Sequence, residues 1–134
     1  NLVIAVLVAS AGLLLYRETF DAPATPFGGF VVPPLSEEAR AGEVIFNANC
    51  SKCHGTNGTG TDKGPPLVHD IYNPGHHSDE AFQRAVRNGA PQHHWPFGNM
   101  PAQPQVTPDQ VTQILSYIRA LQTANGIHYR PHRM

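Results

Sequence analysis

Charged side chains make up only 14% of this 134-residue chain and apolar ones 40%, against roughly 25% and 45–50% in ordinary soluble domains. The formal charge is −1, so the basic surface that displaces counterions from a phosphate backbone is missing and nucleic-acid binding is excluded. No run of period-two alternation is present, which argues against a sheet. No internal repeat is visible either, which excludes solenoids and arrays. At 14.6 kDa the chain has room for one compact domain with modest appendages but not for a second domain. In place of charge it has 13 prolines and 12 glycines. They disfavour long regular elements outside a few segments and point to a small, loop-rich fold that needs more than its own side chains for a core.

The apolar residues are unevenly spread. Leu2 to Tyr16 (LVIAVLVASAGLLLY) carries no charge, and Arg17 closes the run. As a helix its fifteen residues rise about 22 Å, short of the ~30 Å hydrocarbon core, so it reads as an incomplete transmembrane helix or a signal-peptide apolar region. Ala9-Ser10-Ala11 fits a cleavage site, but cleavage there leaves Leu13, Leu14 and Leu15 as an apolar stub. Residues 1–16 are therefore read as an anchor in a lipid bilayer, continuing upstream of Asn1. A buried core helix fits less well, since the run is apolar on all sides. Without it the apolar share falls to roughly 35%, low for a self-sufficient core.

Residues 17–35 hold Pro23, Pro26, Pro33, Pro34 and Gly28-Gly29 with no sustained period, and read as a linker. It would span at most ~60–70 Å extended and roughly 25 Å as a coil. Phe20, Phe27, Phe30, Val31 and Val32 are apolar for a solvated tether, so packing along a partner or the domain is the alternative. Residues 36–126 are read as the domain and 127–134 as a C-terminal tail. Ser36, followed by Glu37 and Glu38, caps a helix running to about Cys50. Ser78-Asp79-Glu80 starts a short second one, stopped at Asn88-Gly89. Thr107, Pro108 and Gln110 start the clearest, with Val111, Ile114, Leu115, Ile118 and Leu121 on one stripe before Asn125-Gly126. The fold class is all-α, three main helices with long loops.

The chemistry concentrates at Cys50-Ser51-Lys52-Cys53-His54, a C-x-x-C-H string holding the only two cysteines. On a helical turn, positions i and i+3 project to one side, so two thiols can each form a thioether with a haem vinyl group while the histidine reaches the iron. A disulfide, a redox pair or half a zinc site compete with this reading. The first is strained between helical neighbours, the second lacks a βαβ context, and the third needs further ligands.

Residues 36–126 resemble a class I cytochrome c domain. Gly42 and Phe46 are similar to the pair with which that family's first helix crosses its last, where Tyr117 and Leu121 are the counterparts. Gly64-Pro65-Pro66-Leu67 resembles the segment whose proline carbonyl, here Pro65, receives the Nδ1 proton of the axial histidine. Phe97-Gly98-Asn99-Met100-Pro101 resembles the loop supplying a methionine as sixth ligand. The resemblance implies one covalently attached haem c, bound by Cys50 and Cys53 with Phe97 beside it, and iron held by His54 and Met100. It implies electron transfer without a catalytic residue or a small-molecule substrate. One haem edge would be exposed to partners, with Lys52 and the loops around Pro65 and Met100 as docking surface. Lys52 reads equally well as an ordinary solvated residue, and the abundant lysines with which some members dock are missing.

His69, His76, His77, His93 and His94 crowd the segment between the haem string and Met100. His93 or His94 is the alternative sixth ligand, and copper or zinc binding is another use of the group. Adjacent histidines such as His76-His77 do not point the same way on regular structure, so most of the group is expected to be surface or loop packing. Trp95 is expected to fill the core rather than cover a haem edge. The expected function is that of a membrane-anchored carrier of single electrons between membrane redox complexes, at the bacterial inner membrane with the haem domain in the periplasm. The alternatives are a fixed haem subunit of a respiratory or photosynthetic complex, or a haem peroxidase or gas sensor.

Overall fold

Ser36 begins the first helix by accepting the Ala39 amide on its hydroxyl at 3.1 Å, and Glu37 and Glu38 place negative charge at the positive helix end. The computed structural model describes residues 29–131. The apolar run at 1–16 and the linker up to residue 28 lie outside the described residues, as do tail residues 132–134. Among the described residues, no helix is long and apolar enough to cross a membrane. Four α-helices follow one another: α1 (Glu37–Asn49), the one-turn α2 (Ser51–His54), α3 (Asp79–Asn88) and α4 (Pro108–Ala124). No strand is present among them, only an isolated antiparallel bridge between Ala90 and Met100. The starts read from sequence at Ser36, Ser78 and Thr107 are the observed N-caps. At α4 the capping box is complete, with the Thr107 side chain on the Gln110 amide and the Gln110 side chain on the Thr107 amide.

The core lies where α1 crosses α4. Gly42 permits the crossing, since a Cβ there would lie 1.8 Å from the Gln113 carbonyl oxygen. One turn further on, the rings of Phe46 and Tyr117 meet with centroids 5.7 Å apart at 58°, both wholly buried together with Ile118 and Leu121. The Tyr117 hydroxyl donates to Asn57 Oδ1 at 2.8 Å, which anchors the loop after α2 to the same contact. Burial, and secondarily the Glu43 charge, pushes the Tyr117 hydroxyl up to about 12, so it stays a donor.

Both ends of the described chain are tied to the domain. Val31 exchanges two hydrogen bonds with the Asn125 side chain, each 2.8 Å, and Leu35 packs on the core. The stretch 29–35 thus lies along the domain. Ile127 is buried, and Arg130 reaches the 70–75 loop through its amide on Asn73 Oδ1 at 3.3 Å and its guanidinium on Asp70 at 3.2 Å.

Candidate cofactor site

Cys50 sits at the junction of α1 and α2, and its carbonyl accepts the amides of Cys53 at 3.1 Å and His54 at 2.9 Å. The two sulfurs and the imidazole therefore leave one helical turn. Both cysteines are free thiols, Cys53 exposed and Cys50 half-buried. Burial, with a smaller contribution from Cys53, pushes the Cys50 thiol up to about 11. The chain then reverses at Gly55, whose φ of 77° and approach to Gly60 leave no space for a side chain. This reversal brings Pro65 over the histidine ring, and His54 Nδ1–H donates to the Pro65 carbonyl at 2.9 Å. A carbonyl only accepts, so the tautomer is fixed and Nε2 keeps its lone pair. Burial lowers the proton affinity of His54, partly offset by that carbonyl.

Met100 is placed by a different device. Its backbone exchanges two hydrogen bonds with Ala90, 3.0 and 2.8 Å long, closing residues 91–99 into a loop at the end of α3. Inside it the Gln92 side chain accepts the Gly98 amide at 2.7 Å, and Asn99 Oδ1 accepts the Gln92 amide at 2.9 Å. The Gln103 amide donates to Val86 on α3 at 2.7 Å, fixing the far end.

Between these two walls runs a cleft in two lobes. The larger encloses about 880 Å³, part of it open to solvent, and is walled by apolar and aromatic residues of α3, the 65–77 loop and the Met100 loop. The smaller encloses about 550 Å³. Cys50, His54, Pro65, Phe97, Gly98 and Met100 line both lobes, whereas Cys53 lines only the smaller. The structure thus brings Cys50, Cys53, His54, Pro65, Phe97 and Met100 to one cleft, with Phe97 37% exposed at its rim, whereas Lys52, His69 and His76 do not line it.

One expectation is corrected here. Trp95 does not fill the core. It is half-buried, lines the larger lobe and stacks on Tyr72 with centroids 5.9 Å apart at 16°, because the loop carrying it folds over the cleft instead of packing on the α1–α4 crossing. The histidines lie on loops, as expected, but four of them converge. His76 and His77 lie in a turn where both amides donate to the Asn73 carbonyl, not on a regular element, and their rings meet with centroids 4.7 Å apart. Side-chain nitrogens of His76, His77 and His94 all come within 4.8 Å of one another. Burial, against the Ile71 carbonyl and with the neighbouring histidines, brings His77 down to about 4, so its ring is neutral at pH 7.

Sequence reading passed over Arg119 and Gln122 on α4. Gln122 is 1% exposed. Its Nε2 donates to the carbonyls of Leu67 at 2.8 Å and Tyr72 at 3.1 Å, while its Oε1 accepts from Arg119 at 2.7 Å. Arg119 also donates to the carbonyls of Tyr72 and His77 at 2.8 and 2.6 Å, pairs with Asp79 at 2.9 Å and lies 5.0 Å over the Phe82 ring. Together they hold the loop that forms one wall of the cleft. The available signal was a glutamine four residues after Ile118, on the otherwise apolar stripe.

An all-helical domain whose C-x-x-C-H turn walls an apolar cleft has the architecture of a covalent haem protein. The family model "Cytochrome c" matches residues 39–122, and the chain belongs to that family. It is also 28% identical over 115 residues to a protein named cytochrome c oxidase subunit 2 from Alkalihalophilus pseudofirmus, a match covering 81% of this chain and 33% of that protein. The chain thus spans about a third of the length of that relative.

Family membership implies covalently bound haem c with its iron, and electron transfer as the activity. The residues present fit the group. The larger lobe is walled mainly by apolar and aromatic side chains, two unbridged thiols stand on one turn at its edge, and an imidazole with its Nε2 free and a thioether line both lobes.

Proposed function

We propose that this protein is a membrane-anchored monohaem cytochrome c that carries single electrons between membrane redox complexes on the periplasmic side of a bacterial inner membrane. The observation that carries the reading is the shared cleft: the C-x-x-C-H turn and the Met100 loop line the same apolar space. Cys50 and Cys53 are the thioether residues, and His54 Nε2 and the Met100 sulfur are the iron ligands. When bound, the haem supplies reversible one-electron exchange. The Pro65 carbonyl holds the His54 ring in one orientation and one tautomer. The paired backbone of Ala90 and Met100 fixes where the thioether enters the cleft, and Trp95, Tyr72 and Phe97 give it aromatic walls. With His54 and Met100 both holding the iron, no position would be left for a substrate, which favours electron transfer over peroxidase or gas-sensing chemistry. A thioether ligand also raises the potential relative to a second histidine.

Met100→Ala tests the assignment in the haem-loaded protein. It is expected to open the iron to carbon monoxide and to lower the reduction potential. An unchanged ferric spectrum would sink the ligand assignment.

A second reading, a fixed haem subunit of a larger respiratory complex, gains support from the relative named as an oxidase subunit. It also gains from the attachment of Val31 to Asn125, which holds the end of the linker on the domain. Gentle solubilisation of membranes separates the two readings. A carrier elutes as a single haem protein, whereas a subunit co-purifies stoichiometrically with other chains.

A further inference from the structure

The histidines around the Met100 loop are organised beyond what haem binding requires. His76 and His94 approach Nε2 to Nε2 at 3.4 Å, and His77 and His93 do so at 3.5 Å. Four donors around a tetrahedral ion with bonds of about 2.0–2.1 Å lie roughly 3.3–3.4 Å apart, so both separations are close to the edge of such a site. The rings are also oriented from behind. His77 Nδ1–H donates to the Ile71 carbonyl at 2.7 Å and His93 Nδ1–H to the Pro91 carbonyl at 2.7 Å. Each bond leaves Nε2 unprotonated and directed at its neighbours, the outer-sphere arrangement that metal-ligating histidines use. Direct pairing does not explain the His77–His93 contact, because two Nε2 atoms facing one another need a proton between them and both residues carry theirs on Nδ1.

We propose that His76, His77 and His94 bind one divalent transition-metal ion of the zinc or copper class, with His93 beside them as a further imidazole in reach. Imidazole sets favour these ions over calcium or magnesium, which take oxygen ligands. The site adjoins the haem cleft without using the residues assigned to the haem: His54 and Met100 line the same larger lobe as His77, His93 and His94, and His76 lines neither lobe. Such an ion would join the turn at 73–77 to the 91–99 loop, two segments that the backbone does not otherwise connect among the described hydrogen bonds. It would act as a clip on the loop that carries Met100.

The test uses the full chain, haem attached, without an affinity tag and stripped with a chelator. Calorimetric titration with Zn²⁺ is expected to show one ion per chain, and X-ray absorption at the zinc edge to count three or four imidazoles. His76→Ala/His94→Ala should weaken binding roughly 100-fold or more, because loss of an outer-sphere partner alone costs about 10–100-fold. His128→Ala, on the exposed tail, should leave it unchanged. The proposal is overturned by absence of stoichiometric uptake, by fewer than three imidazoles on the zinc, or by equal loss in His128→Ala. It is also overturned if zinc displaces an iron ligand, read from the ferric charge-transfer band, since one of these histidines would then belong to the haem. The absorption count needs no variant, so a poorly folding double substitution leaves the question answerable.

Discussion

The two sides of this domain are built on opposite principles. On one side α1 and α4 meet backbone to backbone at Gly42, with Phe46, Tyr117, Ile118 and Leu121 almost wholly buried. Side chains alone fill this contact, and its stability comes from apolar area and close packing. On the other side, the loops from Gly55 to His77 and from Ala90 to Gln103 face an apolar cleft they do not fill. There the positions are set by hydrogen bonds to backbone carbonyls, from His54, His77, Gln122 and Arg119. A chain with so few apolar residues outside its N-terminal run can complete only one such core by itself. The second is left for a cofactor, and polar brackets hold the walls apart.

The comparison breaks most sharply at Gly42. Alanine is the better helix former by roughly 0.5–1 kcal/mol, yet its Cβ would stand 1.8 Å from the Gln113 carbonyl oxygen, and the obstacle is backbone that cannot rotate away. Gly42→Ala is expected to cost about 3 kcal/mol, the upper end for overpacked cores, read as a lower urea midpoint of the haem-loaded protein. A stability gain would show that the two helices can slide apart cheaply and that the rigid side is not rigid.

The helix side was also the legible side. Its starts depend on local chemistry, Ser36, Ser78 and the Thr107–Gln110 box, which a few neighbouring residues determine. Its buried stripe follows from the helical period. The C-x-x-C-H turn was legible for the same reason, since a short spacing sets it, whereas the Pro65 contact with His54 was legible only through the family resemblance. The loop side was not. Trp95 and the histidine pairs are placed by contacts eighteen residues or so apart in sequence, such as His76 with His94, and no periodicity reports on those. Gln122 and Arg119 bond each other, but nothing local in the sequence shows what else they hold. Their partners, Leu67, Tyr72 and His77, lie 42–55 residues away.

The smaller effect is expected where the two sides are joined. Gln122→Met keeps the volume of the buried side chain but removes the donor to Leu67 and the acceptor for Arg119. The Tyr72 carbonyl retains Arg119 at 2.8 Å, whereas the Leu67 carbonyl loses the bond from Gln122. One unpaired buried acceptor costs about 1–3 kcal/mol, so a loss near 2 kcal/mol is expected, below that at Gly42. The position of the loss is more informative than its size. If the loop wall is held by this bracket, the amides of Leu67, Tyr72 and His77 should exchange hydrogen faster in the variant, while those within α1 and α4 change only by the global loss. Uniform acceleration through the helices would mean that the loops and the α1–α4 crossing open as one unit. The division between a self-filled core and a bracketed cleft would then describe packing but not stability.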